Sequence, residues 1–217
     1  MPHNIFITGG TGYMGQRLIA RLLAAGHRVT ALIRPGSERK LPPGCTAVLG
    51  DALSASTFAA QVAPADTFIQ LVGVAHPSPA KAKEFRSVDR AAAFAAIEAA
   101  VQAQVAHFIY VSVAQPAPVM KAYLQARAEC EDEIRRRGLN ATILRPWYVL
   151  GPGHRWPLVL RPAYWLLERI PATRDGARRL GLVTLDQMTT ALVRAVERPA
   201  SGVRIVEVPE IRENPHG

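Results

Sequence analysis

Along most of this chain, short apolar runs alternate with longer segments whose apolar residues recur every three to four positions. Residues 4–8, NIFIT, predict a buried strand, and residues 13–25 an amphipathic helix closed by Gly26. A second strand spans 27–33 and breaks at Arg34-Pro35-Gly36-Ser37. A short strand over 46–49 ends at Gly50-Asp51, and Ser54 reads as the N-cap of a short helix reaching Val62. Residues 67–72 form a fourth apolar run, followed by the loop His76-Pro77-Ser78-Pro79 and a long Ala-rich helix over 83–104. Then come a strand over 108–113, a helix over 121–137 closed by Gly138, and a strand over 141–144 before Arg145-Pro146.

Continuous apolar strands alternating with helices imply a parallel sheet covered on both faces. Right-handed crossovers make it an α/β doubly wound sheet, a Rossmann fold, whose ligands bind beyond the carboxyl ends of the strands. Gly9, Arg34, Asp51, Gly73, Ser112 and Arg145 all fall at such ends. From Gly151 the pattern loosens: Pro152, Pro157, Pro162 and Pro171 punctuate a Trp/Tyr/Leu-rich stretch. Residues 151–180 are expected to form a small lobe over the cleft within a single domain, 1–217. A strand over 180–184, a helix over 186–197 and a strand over 203–208 close the chain, and the tail after Ile211 is expected to fray.

Composition narrows the classes. The 217 residues are 49% hydrophobic and 20% charged, ordinary for one globular domain. No run approaches the roughly 18 apolar residues of a membrane span, and the N-terminus enters a strand with no leader pattern, so a cytoplasmic location is expected. Cys45 and Cys130 have no disulfide or metal spacing and read as reduced and structural; no metal site is expected. The net charge of +9 is spread over the chain, with clusters only at Arg135-Arg136-Arg137 and Arg178-Arg179. Without a recognition motif this reads as solvated helix faces and an anionic ligand rather than nucleic-acid binding.

The chemistry begins at Gly9-Gly10-Thr11-Gly12-Tyr13-Met14-Gly15, directly after the first strand. Gly10, Gly12 and Gly15 fit G-x-G-x-x-G; Gly9, Gly12 and Gly15 fit G-x-x-G-x-x-G. Glycine is needed where backbone meets a pyrophosphate or helix meets strand, and the helix N-terminus offers N–H groups to the phosphates. Between strand and helix, this turn implies dinucleotide binding. Where an NAD-preferring fold places a carboxylate for the ribose hydroxyls, this chain has Arg34, with Ser37, Arg39 and Lys40 nearby. A guanidinium can grip a 2′-phosphate, so NADP is expected over NAD. Asp51-Ala52 would accept from the adenine amino group or simply turn the chain. Val72-Gly73 would let backbone approach the ligand or, again, only turn.

Thr8-Gly9-Gly10-Thr11-Gly12-Tyr13-Met14-Gly15 resembles the TGGTGxxG signature of the extended and atypical short-chain dehydrogenases/reductases, which include sugar-nucleotide epimerases, dehydratases and NmrA-like proteins. The resemblance continues through Asp51, Tyr123, Arg145-Pro146, Gly151-Pro152-Gly153 and Leu185-Asp186. It implies bound NAD(P) and redox chemistry on a carbonyl or hydroxyl. The family's Tyr-x-x-x-Lys becomes Tyr123 followed by Arg127, still on one helix face. Tyr123 would be the acid/base, or else a ribose-binding or structural tyrosine. Arg127 would lower the tyrosine's pKa and bond the ribose hydroxyls, but cannot lose a proton itself. Ser112 is the one hydroxyl near the fifth strand's end and would position the substrate oxygen; the family's second serine is Val113 here, and its helix Asn is Asp89. The resemblance places the backbone at Pro146 along the nicotinamide.

Trp147, Tyr148, His154, Arg155 and Trp156 form an aromatic–basic cluster that would bind a flat or anionic substrate or pack the lobe. Residues 158–167 have some character of a membrane-contacting helix, but Pro162 and their shortness argue against it. Two readings follow. One is an NADP-dependent oxidoreductase acting on a small carbonyl, hydroxyl or quinone-like molecule, favoured over epimerisation because 217 residues leave little room for a large second lobe. The other is a redox sensor or assembly factor that binds NADP without turnover. Relatives of this kind often pair, so a homodimer is compatible with either.

Overall fold

Period-two alternation in the first strand sends Ile5 and Ile7 to one face and Phe6 to the other, and two hydrophobic cores grow from that split. The computed structural model describes residues 1–75, 77–117, 119–151, 176 and 179–213. Their elements are β1 (Asn4–Thr8), α1 (Tyr13–Ala24), β2 (Arg28–Ile33), β3 (Thr46–Leu49), β4 (Thr67–Gln70), α2 (Ala91–Gln102), β5 (His107–Val111), α3 (Lys121–Arg136), β6 (Ala141–Arg145), β7 (Tyr148–Leu150), β8 (Leu182–Thr184), α4 (Leu185–Glu197), β9 (Val203–Glu207) and α5 (Val208–Arg212). Seven strands form one parallel sheet in the order β3-β2-β1-β4-β5-β6-β9. This is the doubly wound sheet expected from the apolar runs. The order reverses between β1 and β4, which opens a crevice beyond their carboxyl ends.

On the Ile5/Ile7 face, Leu18, Ile19 and Leu22 of α1 pack beside Met188, Leu192 and Val196 of α4. On the other face Phe6, Phe58, Phe68 and Phe108 stack against one another. Small residues of α2, including Ala92, Ala93, Ala96 and Ala100, are buried there, so the alanine run lets a helix lie close over large rings. The segment Leu185-Asp186 opens α4, whose N-terminus Thr184 and Gln187 close with a reciprocal capping box.

Several boundaries depart from the sequence reading. Residues 54–62 form two 3₁₀ turns (Ala55–Thr57 and Ala59–Gln61) rather than one helix, and the Ser54 side chain caps neither. It faces the Ser56 hydroxyl instead. The helix expected over 83–104 opens with one α turn, Ala82–Glu84, passes through a π turn, Phe85–Arg90, and continues as α2 from Ala91. β7 and β8 make a separate two-stranded parallel sheet, and Val208 opens α5 rather than ending the last strand; residues 214–217 of the tail expected to fray lie outside the described residues. The expected lobe lies almost wholly outside the described residues, as do His154, Arg155, Trp156 and the stretch 158–167. Among the described residues no helix is long and apolar enough to cross a membrane.

The opposite end of the sheet carries a prediction about pH. His107 is buried at the start of β5, its Nε2 on Thr142 Oγ1 at 3.0 Å and its Nδ1 without a partner among the described residues. Burial, with help from His3, lowers its pKa from 6.5 to about 4. Burial also lowers His27, whose Nδ1 accepts from the His3 N–H. Above pH 6.5 both rings are neutral folded or unfolded; below it the unfolded chain takes up protons the folded chain refuses, so stability falls as pH falls. His107 alone should cost about 3 kcal/mol by pH 4. Urea unfolding at neutral and acid pH checks this, and His107→Gln should flatten the dependence. An equal slope in that variant would contradict the assignment.

Candidate functional site

The crevice is floored by the glycine turn. Gly9 adopts φ +78°, a left-handed conformation that side chains resist, and its carbonyl accepts from Gly12 N–H at 3.1 Å. A Cβ on Gly15 would collide with the Gly9 carbonyl, and one on Gly10 would lie 2.9 Å from Ile19. These glycines let α1 sit down on the end of β1. Gly12 differs: a Cβ there meets only the Gly9 oxygen, at 3.3 Å, and otherwise open space. It begins α1 with no side-chain cap and no acidic residue in the first turn. A helix start that is uncapped, acid-free and cleared of side chain fits a phosphate. The Thr11 carbonyl is turned away, onto Gln16 Nε2 at 2.8 Å. Met14 is half-buried against the first core.

Thr8 does not open onto the crevice. Its buried hydroxyl donates to Gln70 Oε1 at 2.6 Å, and the same oxygen accepts from Val72 N–H at 2.7 Å. Gln70, which the sequence reading missed, thus ties the end of β1 to the chain leaving β4. The visible signal was a polar residue closing an otherwise apolar run.

Around the rim, Arg34 is exposed at the end of β2, beside Ser37, Arg39 and Lys40. Asp51 follows β3; one carboxylate oxygen accepts from Leu53 N–H at 2.9 Å and the residue stays exposed. Ala52 packs at the edge of the second core. Gly73 lies against α3 so closely that a Cβ would approach the Arg127 guanidinium to 2.5 Å. Pro146 is buried and accepts from Ala114 N–H at 2.9 Å, and Trp147 and Tyr148 meet edge to face.

Tyr123 is half-buried on the first turn of α3, its ring 4.9 Å from Phe85 and 5.1 Å from the Arg127 guanidinium carbon. Tyr13 rises opposite from α1, its ring against Gly151. Burial and the nearby Tyr123 push the Tyr13 phenol above its ordinary value. The two tyrosines are therefore near enough to interact electrostatically.

Arg127 lies beside Tyr123, as expected, and is also held from behind. It is buried, donating to Asp89 Oδ1 at 2.5 Å, to the Val111 carbonyl at 2.9 Å and to the Tyr110 hydroxyl at 3.1 Å. Asp89 is fully buried and also accepts from Val74 N–H at 3.1 Å. The guanidinium is thus engaged by Asp89 and by Tyr110 and Val111 at the end of β5. Burial raises the Tyr123 phenol; Arg127 pulls it down and Asp89 pushes it back up, so it lies above rather than below the usual value.

Ser112 is likewise engaged. Its buried hydroxyl donates to Glu131 Oε1 at 2.6 Å. That buried carboxylate also accepts from Gln115 Nε2 at 2.9 Å, from Arg145 at 2.5 and 3.0 Å, and from Arg135 at 3.3 Å. A buried carboxylate needs such donors, which turns Ser112 into the wall behind the cleft. Val113 beside it is buried and apolar. Glu131 was legible only as an acid among the buried positions Ala126, Arg127, Cys130 and Ile134 of α3. The arginine run of α3 is also paired: Arg136 and Arg137 hold Glu133, and Arg135 holds Glu131 and Asp132. The described residues contain no cluster suited to a metal ion.

Residues 9–155 match a family described as NAD(P)H-binding. The chain belongs to that family. It is 26% identical over 214 residues to a ceramide reductase of Caulobacter vibrioides, covering 97% of this chain and 65% of that protein. It is 28% identical over 228 residues to a 3-diazoavenalumate denitrifying reductase of a Streptomyces species, covering 91% and 73%. The chain thus spans just under two thirds of the ceramide reductase's length. Its fold is similar to that of the Bordetella bronchiseptica enzyme WbmH in complex with NAD+, with a TM-score of 0.70, 18% identity, and coverage of 94% and 75%. That likeness agrees with the doubly wound Rossmann fold expected from the alternating strands and helices.

Proposed function

We propose that this protein is an NADPH-dependent reductase of a small carbonyl or quinone-like compound, with Tyr123 as its proton donor. The observation that carries the reading is the placement of Tyr123: a half-buried phenol, packed on Phe85 and Arg127 and near enough to Tyr13 of the glycine turn to interact with it electrostatically, in an NAD(P)H-binding chain. When bound, the reduced nicotinamide supplies an electron pair as hydride. The Gly12–Met14 segment would hold the pyrophosphate, Asp51-Ala52 the adenine, and the backbone at Val72-Gly73 and Pro146 the remaining length. Tyr123 would give the substrate oxygen one proton and regain it from water. The reductase names of both relatives favour this over binding without turnover. The reading keeps the substrate small and the location cytoplasmic.

Single-turnover oxidation of bound NADPH against a panel of carbonyls and quinones tests it. Tyr123→Phe should slow that step by about 10²- to 10⁴-fold while sparing NADPH affinity. An unchanged rate would overturn the catalytic assignment, and tight binding with no acceptor reduced would favour the sensor.

Arg34 supports the choice of NADPH. It is exposed at the strand end where a 2′-phosphate would sit, with two further cations, Arg39 and Lys40, five and six residues on. Removing a charge-assisted bidentate contact costs about 1.5–3 kcal/mol, or roughly 10- to 100-fold. Arg34→Ala should weaken NADPH by that factor and leave NADH nearly unchanged, as measured by titration calorimetry. Equal weakening would refute the claim.

A further inference from the structure

The buried pair behind Tyr123 is more than a brace. We propose that Asp89 is a positioning residue for proton transfer: by holding and neutralising the Arg127 guanidinium beside Tyr123, it keeps the phenol protonated, so that at neutral pH the site gives a proton to a carbonyl oxygen and accepts one from an alcohol only in alkaline solution. The inference rests on the reading of Tyr123 as the proton donor.

The geometry is direct. The Arg127 guanidinium stands 5.1 Å from the Tyr123 ring, near enough to stabilise a phenolate strongly in a dry site. Asp89, fully buried on the π turn, meets that guanidinium at 2.5 Å and opposes its field at Tyr123. The other charged or titratable groups acting on Tyr123 or on the pair among the described residues are Tyr13 from α1, Tyr110 from β5, bonded to Arg127, and Cys130 from α3. Arg90, next to Asp89, is paired with Glu129. Arginine cannot release its proton, so the pair is a fixed dipole rather than a relay. Gly73 is part of the device: a side chain there would strike both Arg127 and Asp89, at 2.5 and 3.0 Å.

The step needs only the phenol's own proton. The Tyr123 O–H bond breaks as a new O–H bond forms on the reduced substrate oxygen, and water reprotonates the phenolate.

The test reads Tyr123 itself, without turnover. Protein labelled with ¹³Cζ-tyrosine gives five tyrosine signals, and the one lost in Tyr123→Phe is assigned to Tyr123. In the wild type its midpoint should lie above pH 10; a midpoint below that overturns the proposal. Asp89→Asn keeps the side chain's shape but frees the Arg127 charge, and should lower the midpoint by about one pH unit, a tenfold change in phenolate at fixed pH. Arg127→Gln should raise it, and the double variant should return close to the wild type. A purely structural pair would shift both single variants in the same direction or in neither, which overturns the proposal. In alcohol oxidation the alkaline limb of the rate profile should follow the Asp89→Asn shift. Failure of that limb with the titration shift intact would count against the reductase reading and leave the electrostatic role of Asp89 standing.

Discussion

Gly12→Ala should abolish useful NADPH binding while leaving the protein folded. Gly12 lies in extended backbone at φ −73°, ψ 165°, which alanine adopts freely. Its added methyl meets one oxygen at 3.3 Å, a contact relieved by a small shift. The same methyl projects into the otherwise open space at the start of α1, where a phosphate on the first-turn N–H groups would lie. Losing two charge-assisted hydrogen bonds of about 1.5–3 kcal/mol each weakens binding by at least about 100-fold. Thermal unfolding should move by no more than about 2 °C. Gly15→Ala makes the opposite control, because its methyl strikes the Gly9 carbonyl and the Gly10 backbone, so it should lower stability itself. If Gly12→Ala bound NADPH as the wild type does, the phosphates would not lie on this turn.

The second large effect is on stability. Asp89→Ala strips the buried Arg127 of its carboxylate and the Val74 N–H of its acceptor. An uncompensated buried charge costs about 3–5 kcal/mol. For a chain of this length that lowers the melting temperature by about 10 °C. Asp89→Ala combined with Arg127→Met should recover most of the loss, because the pair costs much of its attraction in desolvation. A single variant melting within about 2 °C of the wild type would show that the pair is not buried as described.

The parts of this molecule that follow from local pattern could be read from the chain. Buried parallel strands are apolar throughout, so NIFIT, RVTALI and HFIYV declare themselves, and Gly9–Gly15 announces the turn between β1 and α1. What was not legible depends on contacts between distant residues. The π turn at Phe85–Arg90 interrupts a helix that reads as continuous, and no 3.6-residue periodicity shows it. Arg127 reads from sequence as the cation serving Tyr123; its carboxylate partner lies 38 residues away. Ser112 reads as a free hydroxyl because Glu131 sits on another element, and Gln70 as a strand residue because Thr8 is 62 positions earlier. Local pattern therefore gives the dinucleotide cradle, and the polar pairs behind it come only from the packed fold.

The central claim is that the turn at Gly9–Gly15, with Arg34 at its rim, holds a phosphorylated dinucleotide. Calorimetric titration of the purified protein with NADPH, and in parallel with NADH, measures it most directly. The account expects one saturable site with at least about tenfold tighter binding of NADPH. Absence of binding by either dinucleotide would contradict it.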